Sequence, residues 1–368
     1  MKQLRVGSDF SGVGAFNQAL IRLGVNYEEA FACDMDKYAR DTFIHNYGEP
    51  KYYPTNVYER EIPTESLDIY MTSPPCQAFS LAGKRLGKDD KRGILFFNSH
   101  EFIQVNKPRF FIFENVKGLL SDDGGKTFQE WVNMLGGKSV NGVPVLFPYD
   151  DSAAYHLYWQ VLNAKNHGVP QNRERVFLVG IRDDQDNKFQ FPREEHLTKR
   201  LKDVLETDVD DNYFLSDEKI KTLVKFGSYY TCEDSKGNIN TQCNRFADIE
   251  KSALTVACGE PGNVLIKSAT SKGYEEATEG DSINFSVPNS ETRRGRVGKG
   301  VAQTLDTACN QGTMDGYKIR RLTPRECFRL MDFPDTFTWK VSDSQAYKQA
   351  GNSIVVNVLY KILKQLPL

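Results

Sequence analysis

The strongest constraint on this chain is an alternation of short apolar runs with segments of helical period over its first 195 residues. Leu4 to Phe10, Ala30 to Cys33, Leu67 to Thr72, Arg109 to Glu114 and Phe177 to Ile181 read as strands. Gly12 to Leu23 and Lys37 to Tyr47 read as helices between them. Strands that alternate with helices predict a parallel sheet covered on both faces. The pattern stops near Pro192, and from there to about Met314 the chain is rich in Gly, Asn, Ser and Thr, with short β-like runs such as Asn263 to Ile266. Helical period returns over Thr323 to Met331 and Tyr347 to Gln365. Thr323-Pro324 with Glu326 has the form of an N-cap, a proline at the first helical position and a capping-box acid. A chain of 368 residues suits two unequal units. The expected division is an α/β domain over residues 1–195 plus 318–368 and a smaller, loop-rich unit over 196–317.

Composition narrows the class. Hydrophobic residues at 39% and charged residues at 26% suit a soluble globular protein. There is no apolar run long enough to span a bilayer and no signal-peptide pattern, so a cytoplasmic protein without membrane contact is expected. The seven cysteines are scattered with no CxxC pair, which argues against a disulfide framework and against a zinc site. A net charge of −2 says little about partners, because the distribution of charge matters more than its sum. Arg293, Arg294, Arg296 and Lys299 form one basic cluster, and Lys318, Arg320, Arg321 and Arg325 a second. Either cluster fits a solvated surface as well as a phosphate contact. Ala253–Gly259 and Ala302–Asn310 are weakly alike, which two similar hairpins or chance would both explain.

Four constellations carry chemistry. In Asp9-Phe-Ser-Gly-Val-Gly-Ala15 a strand ends in a glycine turn that opens a helix, which lets backbone approach a ligand. The next strand ends in Cys33-Asp34-Met35-Asp36, an acid placed to hold ribose hydroxyls. Together they point to an adenosine-containing cofactor without separating a dinucleotide from S-adenosylmethionine. In Thr72-Ser-Pro-Pro-Cys-Gln-Ala-Phe-Ser80 two prolines restrict the backbone beside Cys76, at a strand end where open sheets bind ligands. Residues 82–93, rich in Gly, Lys and Arg, could close over a substrate. In Phe113-Glu-Asn-Val116 a carboxylate lies at another strand end, where burial would raise its pKa; a capping or salt-bridged acid is the plainer reading. In Pro170-Gln-Asn-Arg-Glu-Arg-Val176, Arg173 and Arg175 alternate and so share one face of an extended segment.

In this order the four stretches resemble the bacterial and phage DNA cytosine-5 methyltransferases. Arg321-Leu-Thr-Pro-Arg-Glu-Cys327 and Tyr347-Lys-Gln-Ala-Gly-Asn-Ser353 match two further family motifs, and Tyr213-Phe-Leu-Ser216 is closest to the phage-type branch. The resemblance covers about residues 4–195 and 318–365 and implies a Rossmann-like methyltransferase domain with a target-recognition domain inserted. It implies S-adenosyl-L-methionine as cofactor, S-adenosyl-L-homocysteine as product, and double-stranded DNA as partner of a monomeric enzyme without metal. Phe10, Ser11, Gly12, Gly14, Asp34, Met35, Asn56, Val57, Pro75, Leu95, Asn352 and Ile354 would line the cofactor cleft. Cys76 would attack carbon 6 of a flipped-out cytosine, Glu114 would bind ring nitrogen 3 and the amine, and Arg173 and Arg175 would complete the site. Ser80, Lys84, Arg85, Arg92, Arg293, Arg294 and Arg296 would contact DNA. Two departures stand out: Asn56 replaces the family's usual Asp, and Ala82 replaces a Ser that enters the duplex in some relatives. A tRNA cytosine-5 methyltransferase of the same fold would carry a Cys-Phe-Thr signature, which this chain lacks. A dehydrogenase would leave Pro74-Pro-Cys76 unexplained, and a catalytically silent DNA-binding relative would not need Cys76.

Overall fold

The computed structural model describes residues 3–75, 94–185, 188–224, 264–315 and 318–368. The first half forms β1 (Leu4–Asp9), α1 (Ala15–Leu23), β2 (Tyr27–Cys33), α2 (Lys37–Tyr47), β3 (Ile69–Thr72), α3 (Ile94–Asn106), β4 (Phe110–Val116) and α4 (Lys126–Leu135). It continues with β5 (Ser139–Val140), β6 (Val143–Pro144), β7 (Tyr155–Asn163), β8 (Gln171–Asn172) and β9 (Glu174–Arg182). The main sheet has the order β2-β1-β3-β4-β9-β7-β5-β6. β1, β3 and β4 are almost wholly buried, as strands covered on both faces must be.

Register then places the working edge. Cys33 lies opposite Asp9, Asp9 opposite Thr72, and Thr72 opposite Phe113, so β1, β2 and β3 end on one line that β4 crosses and overshoots to Val116. The residues just beyond that line are Asp34, Phe10, Ser73 and Glu114. β9 returns to the same edge, with Glu114 opposite Phe177 and Val116 opposite Arg175.

The sheet is mixed rather than purely parallel. β4 and β9 pair antiparallel, as do β7 and β9. The link from β7 to β9 is a single 3-10 turn, Ala164–His167, plus β8, too short for the helical crossover a parallel pair needs. One sheet face is covered by a core that includes Phe16, Leu20, Phe328 and Leu359. The other carries Phe96, Phe102, Trp131 and Leu135 of α3 and α4.

The chain then makes α5 (Asp217–Leu223), β10 (Val264–Lys267), β11 (Tyr274–Ala277), β12 (Ser282–Asn284), β13 (Val297–Gly298), β14 (Ala302–Gln303), β15 (Gln311–Asp315) and β16 (Lys318–Arg321). A separate small core unites Leu223, Val264, Ile266, Ala277, Ile283, Met314 and Ile319. Packing and periodicity draw the borders differently. Leu201, Val204, Ala302, Leu305 and Cys309 belong to the main core, while Ile319 belongs to the small one.

The C-terminal part contains α6 (Pro324–Leu330), α7 (Asp343–Asn352) and α8 (Val356–Leu363). α6 has the expected capping box between Thr323 and Glu326. The stretch expected as one helical run from Tyr347 is broken, because Ser353 and Val355 adopt extended backbone between α7 and α8. α7 docks on α2: Lys348 pairs with Asp36 at 2.6 Å, and Thr42 Oγ1 donates to Gln349 Oε1 at 3.0 Å in a buried contact. The last helices therefore fold back on the first domain.

Candidate active site

The turn after β1 holds three left-handed residues, Phe10, Gly12 and Gly14, with φ of 56°, 53° and 84°. Gly14 has a second reason to be glycine, since a Cβ there would lie 2.2 Å from the Tyr47 ring. A Cβ on Gly12 would meet nothing within 4 Å, so that side of the turn is open. Asp34 ties the turn to the end of β2, because its carboxylate accepts Gly12 N at 2.7 Å and Asp36 N at 2.8 Å. Burial pushes the Asp34 pKa up, against those two amides. Ser11 Oγ and Tyr53 Oη share a hydrogen bond.

Around this turn Met35 is 86% exposed and Pro75 is exposed, while Leu95 is half-buried and Val57 is buried. Asn56 accepts Tyr58 N and donates to Glu59, so its amide caps a local turn. Asn352 is exposed at the end of α7, and Ile354 is buried beside it.

A cluster that the motifs did not signal lies beneath the turn. Asp9 pairs with Arg60 at 3.0 Å and accepts from Tyr70 Oη at 2.6 Å, all three buried. The Arg60 guanidinium stacks 4.7 Å from the Phe102 ring. Its members lie far apart in the chain, and no local pattern announces them.

Glu114 is buried at the end of β4 and pairs with Arg175 Nε at 3.1 Å. Burial raises the Glu114 pKa, while Arg175 and Arg173 pull it down. Its neighbour Asn115 donates from Nδ2 to Pro74 O at 3.0 Å, which binds the end of β4 to the chain two residues before Cys76. Arg173 and Arg175 share one small cavity with Leu162, Phe177 and Ile354, as the alternation predicts. Arg173 is engaged with backbone, however. It is buried and donates to Leu305 O at 3.2 Å, Gly351 O at 2.9 Å and Ser353 O at 2.8 Å. The last turn of α7 and the break after it supply one carbonyl each. This bonding leaves the Arg173 guanidinium on main-chain carbonyls, whereas the Arg175 side chain faces the Glu114 carboxylate.

A model of the C-5 cytosine-specific DNA methylases matches residues 4–367. The chain belongs to that family. The methylase is 32% identical to the orphan methyltransferase M.SPRI of Bacillus phage SPR, over all of this chain and 98% of that one. It is 33% identical to the type II methyltransferase M.HhaI of Haemophilus parahaemolyticus, covering 96% of this chain and 91% of the relative. A crystal structure of a DNMT2 variant from Spodoptera frugiperda matches with a TM-score of 0.62 over 98% of this chain and 99% of that one, at 18% identity, and so speaks to the fold. The methylase is a DNA (cytosine-5-)-methyltransferase with a mixed α/β methyltransferase fold.

The other predicted residues of the methylase divide sharply. Cys76, Ser80, Lys84, Arg85, Arg92 and the whole stretch 82–93 lie outside the described residues, as does Ala253–Gly259. Arg294 is exposed and donates to Ala269 O at 2.9 Å, and Arg293 is half-buried. Arg296 is fully buried and donates to Asn284 O, Ser286 O and Val287 O. That removes it from the expected DNA contacts, since its guanidinium already serves three carbonyls. Three of the four residues of the second basic cluster are engaged within the fold, while Lys318 is exposed. Arg320 pairs with buried Glu326 at 2.7 Å, Arg321 stacks on Tyr347, and Arg325 stacks on Trp339. Among the described residues no group of His, Cys, Asp or Glu could hold a metal ion. No helix among them is long and apolar enough to cross a membrane.

Proposed function

We propose that this methylase transfers the methyl group of S-adenosyl-L-methionine to carbon 5 of a cytosine flipped out of a specific duplex sequence, through a covalent adduct on Cys76. The observation that carries the reading is the buried Glu114–Arg175 pair, with Asn115 holding Pro74 beside it. It supports a site in which acid, cation and thiol converge on one base.

The cofactor cleft fits an adenosine-bearing group. The turn is open over Gly12, Asp34 is fixed beside it, and Met35 stands exposed at its rim. Phe10, Ser11, Gly12, Gly14, Asp34, Met35, Asn56, Val57, Pro75, Leu95, Asn352 and Ile354 would hold it. The Asn56 carbonyl has a second lone pair beyond its bond to Tyr58 N, which leaves room for an adenine amine. Bound there, S-adenosylmethionine supplies an electrophilic methyl group and departs as S-adenosylhomocysteine.

The chain's own groups prepare the ring. The Cys76 thiolate adds to carbon 6, which turns a poor nucleophile at carbon 5 into an enamine. Glu114, holding its proton to higher pH than a free carboxylate, donates to ring nitrogen 3 as charge develops. Arg175 donates to the carbonyl oxygen, and Arg173 holds the strand that presents it. After methyl transfer water takes the carbon 5 proton, the freed electron pair forms the 5,6 double bond and expels the Cys76 thiolate, and the nitrogen 3 proton returns to Glu114. A stacked base exposes none of these atoms to the site, so the cytosine leaves the duplex. Ser80, Lys84, Arg85, Arg92, Arg293 and Arg294 would contact the double-stranded DNA. The inserted unit, residues 196–317, would recognise the target, and the enzyme would act as a cytoplasmic monomer. The phage and type II relatives support a role in self-protection or restriction-modification.

Transfer of labelled methyl groups to duplex DNA tests the reading, with Cys76→Ser as control. The expected loss in the variant is about a thousandfold or more. Equal activity in the two proteins would sink the covalent route, and methylation of tRNA but not DNA would change the substrate.

A further inference from the structure

The loop from Ser286 to Gly300 is braced by two charges, one within it and one outside it. From within, Arg296 gathers the carbonyls of Asn284, Ser286 and Val287. From outside, the Glu275 carboxylate accepts Gly295 N at 3.0 Å, Arg296 N at 2.5 Å and Val297 N at 3.2 Å. Among the described residues the Arg293 guanidinium makes no hydrogen bond, and Arg294 makes one. The brace thus presents two cations on a fixed backbone.

Gln303 stands between this loop and the catalytic edge. Its strand β14 pairs parallel with β8, Ala302 opposite Gln171 and Gln303 opposite Asn172, and Arg173 follows at once. The Gln303 Nε2 donates to Gly295 O inside the loop. Its Oε1 accepts from Asn284 Nδ2 at 3.0 Å. Its main chain is gripped by buried Gln311, which accepts Gln303 N at 2.9 Å and donates to Gln303 O at 3.0 Å. Two residues on, Leu305 N donates to Gln171 Oε1 at 3.1 Å while Leu305 O accepts from Arg173. A single short segment therefore bonds to the loop on one side and to the Arg173 strand on the other.

We propose that Gln303 is a positioning residue that registers the Arg293–Arg294 loop against the Arg173–Arg175 edge, so that reading the correct DNA sequence and aligning the target cytosine depend on one another. This rests on the reading of that loop as a DNA contact. An amide suits the task because it donates and accepts at once, and pins the loop at Gly295 and at Asn284 without adding charge.

The test methylates a random-sequence duplex library and reads modified sites by bisulfite sequencing. It compares the unmodified enzyme with Gln303→Ala and Gln303→Glu, the latter keeping the acceptor for Asn284 but losing the donor to Gly295. The expected result for both is a fall of about five- to tenfold in the preference for the best site over its single-mismatch neighbours. Melting temperature should stay within about 3 °C of the parent. Should one variant fail to fold, the other carries the same comparison. A preference ratio within twofold of the parent, or an equal loss at every site, would overturn the inference and leave Gln303 a structural residue. Absence of any methylated cytosine with the unmodified enzyme would overturn the functional reading itself, and this inference with it.

Discussion

Arg173 and Arg296 are buried alike, and each gives its guanidinium to three main-chain carbonyls, yet they assemble different kinds of structure. Arg173 reaches carbonyls 132, 178 and 180 residues away, all in buried surroundings. Arg296 reaches carbonyls 12, 10 and 9 residues away, two of them only part-buried. The catalytic edge is therefore knitted from distant parts of the chain, whereas the loop of the smaller unit is closed locally. A locally closed loop can change its exposed side chains, the proposed DNA contacts among them, without disturbing the main sheet. A long-range knot cannot be altered without moving the end of α7, since Gly351 and Ser353 flank Asn352, a residue of the proposed cofactor cleft.

The contrast can be broken most strongly at the edge itself. Glu114→Gln should lower kcat by about 10²–10³-fold and leave DNA affinity within a few-fold, as single-turnover and binding measurements would show. The pH dependence has a defined sign. Because the Glu114 pKa is raised, its proton is present below that value and lost above it. Activity that depends on the proton falls as pH rises through it, and the variant should lack that alkaline limb.

The paired arginines give the next largest effect. Arg173→Met leaves three buried carbonyls without a donor and should cost roughly 2–4 kcal/mol, with loss of kcat on every DNA. Arg296→Met should cost about 1–2 kcal/mol, because water can reach the part-buried carbonyls, and should mainly weaken DNA binding and site preference. Equal damage to kcat from both, read by calorimetry and methyl-transfer rates, would erase the distinction.

Glu29 offers the smallest effect, and one tied to neither arginine. It accepts from Asn17 Nδ2 at 2.7 Å, and burial pushes its pKa up to about 7. A carboxyl raised on folding stabilises when protonated, so this contribution is complete below about pH 4 and is lost as pH rises through about 7. Glu29→Gln should then melt roughly 2–5 °C above the parent at pH 8 and close to it at pH 4. An equal shift at both pH values would assign the change to packing instead.

Much of the fold was legible because it is local. The bounds of α2 agree residue for residue with the helical period, and Thr323 and Glu326 form the capping box their spacing announces. Alternation put Arg173 and Arg175 on one face. Direction of pairing was not legible, because β7 and β9 look the same from sequence whether they run parallel or antiparallel. Nor was the Asp9–Arg60–Tyr70 cluster, whose members meet only once β1 and β3 lie side by side.

By itself the sequence determined the places of the main strands of the first half, the glycine turn and the order of motifs, hence the family and the chemistry to look for. These depend on backbone preferences and on residue types at short spacing, which a sequence states directly. Only the tertiary structure decided which charges remain available. Arg293, Arg294 and Arg296 are chemically identical within four positions, yet one is half-buried, one exposed and one sealed in the core. What packs over a side chain is set by segments distant in sequence, so burial, and with it the difference between a contact and a brace, appears only in the folded chain.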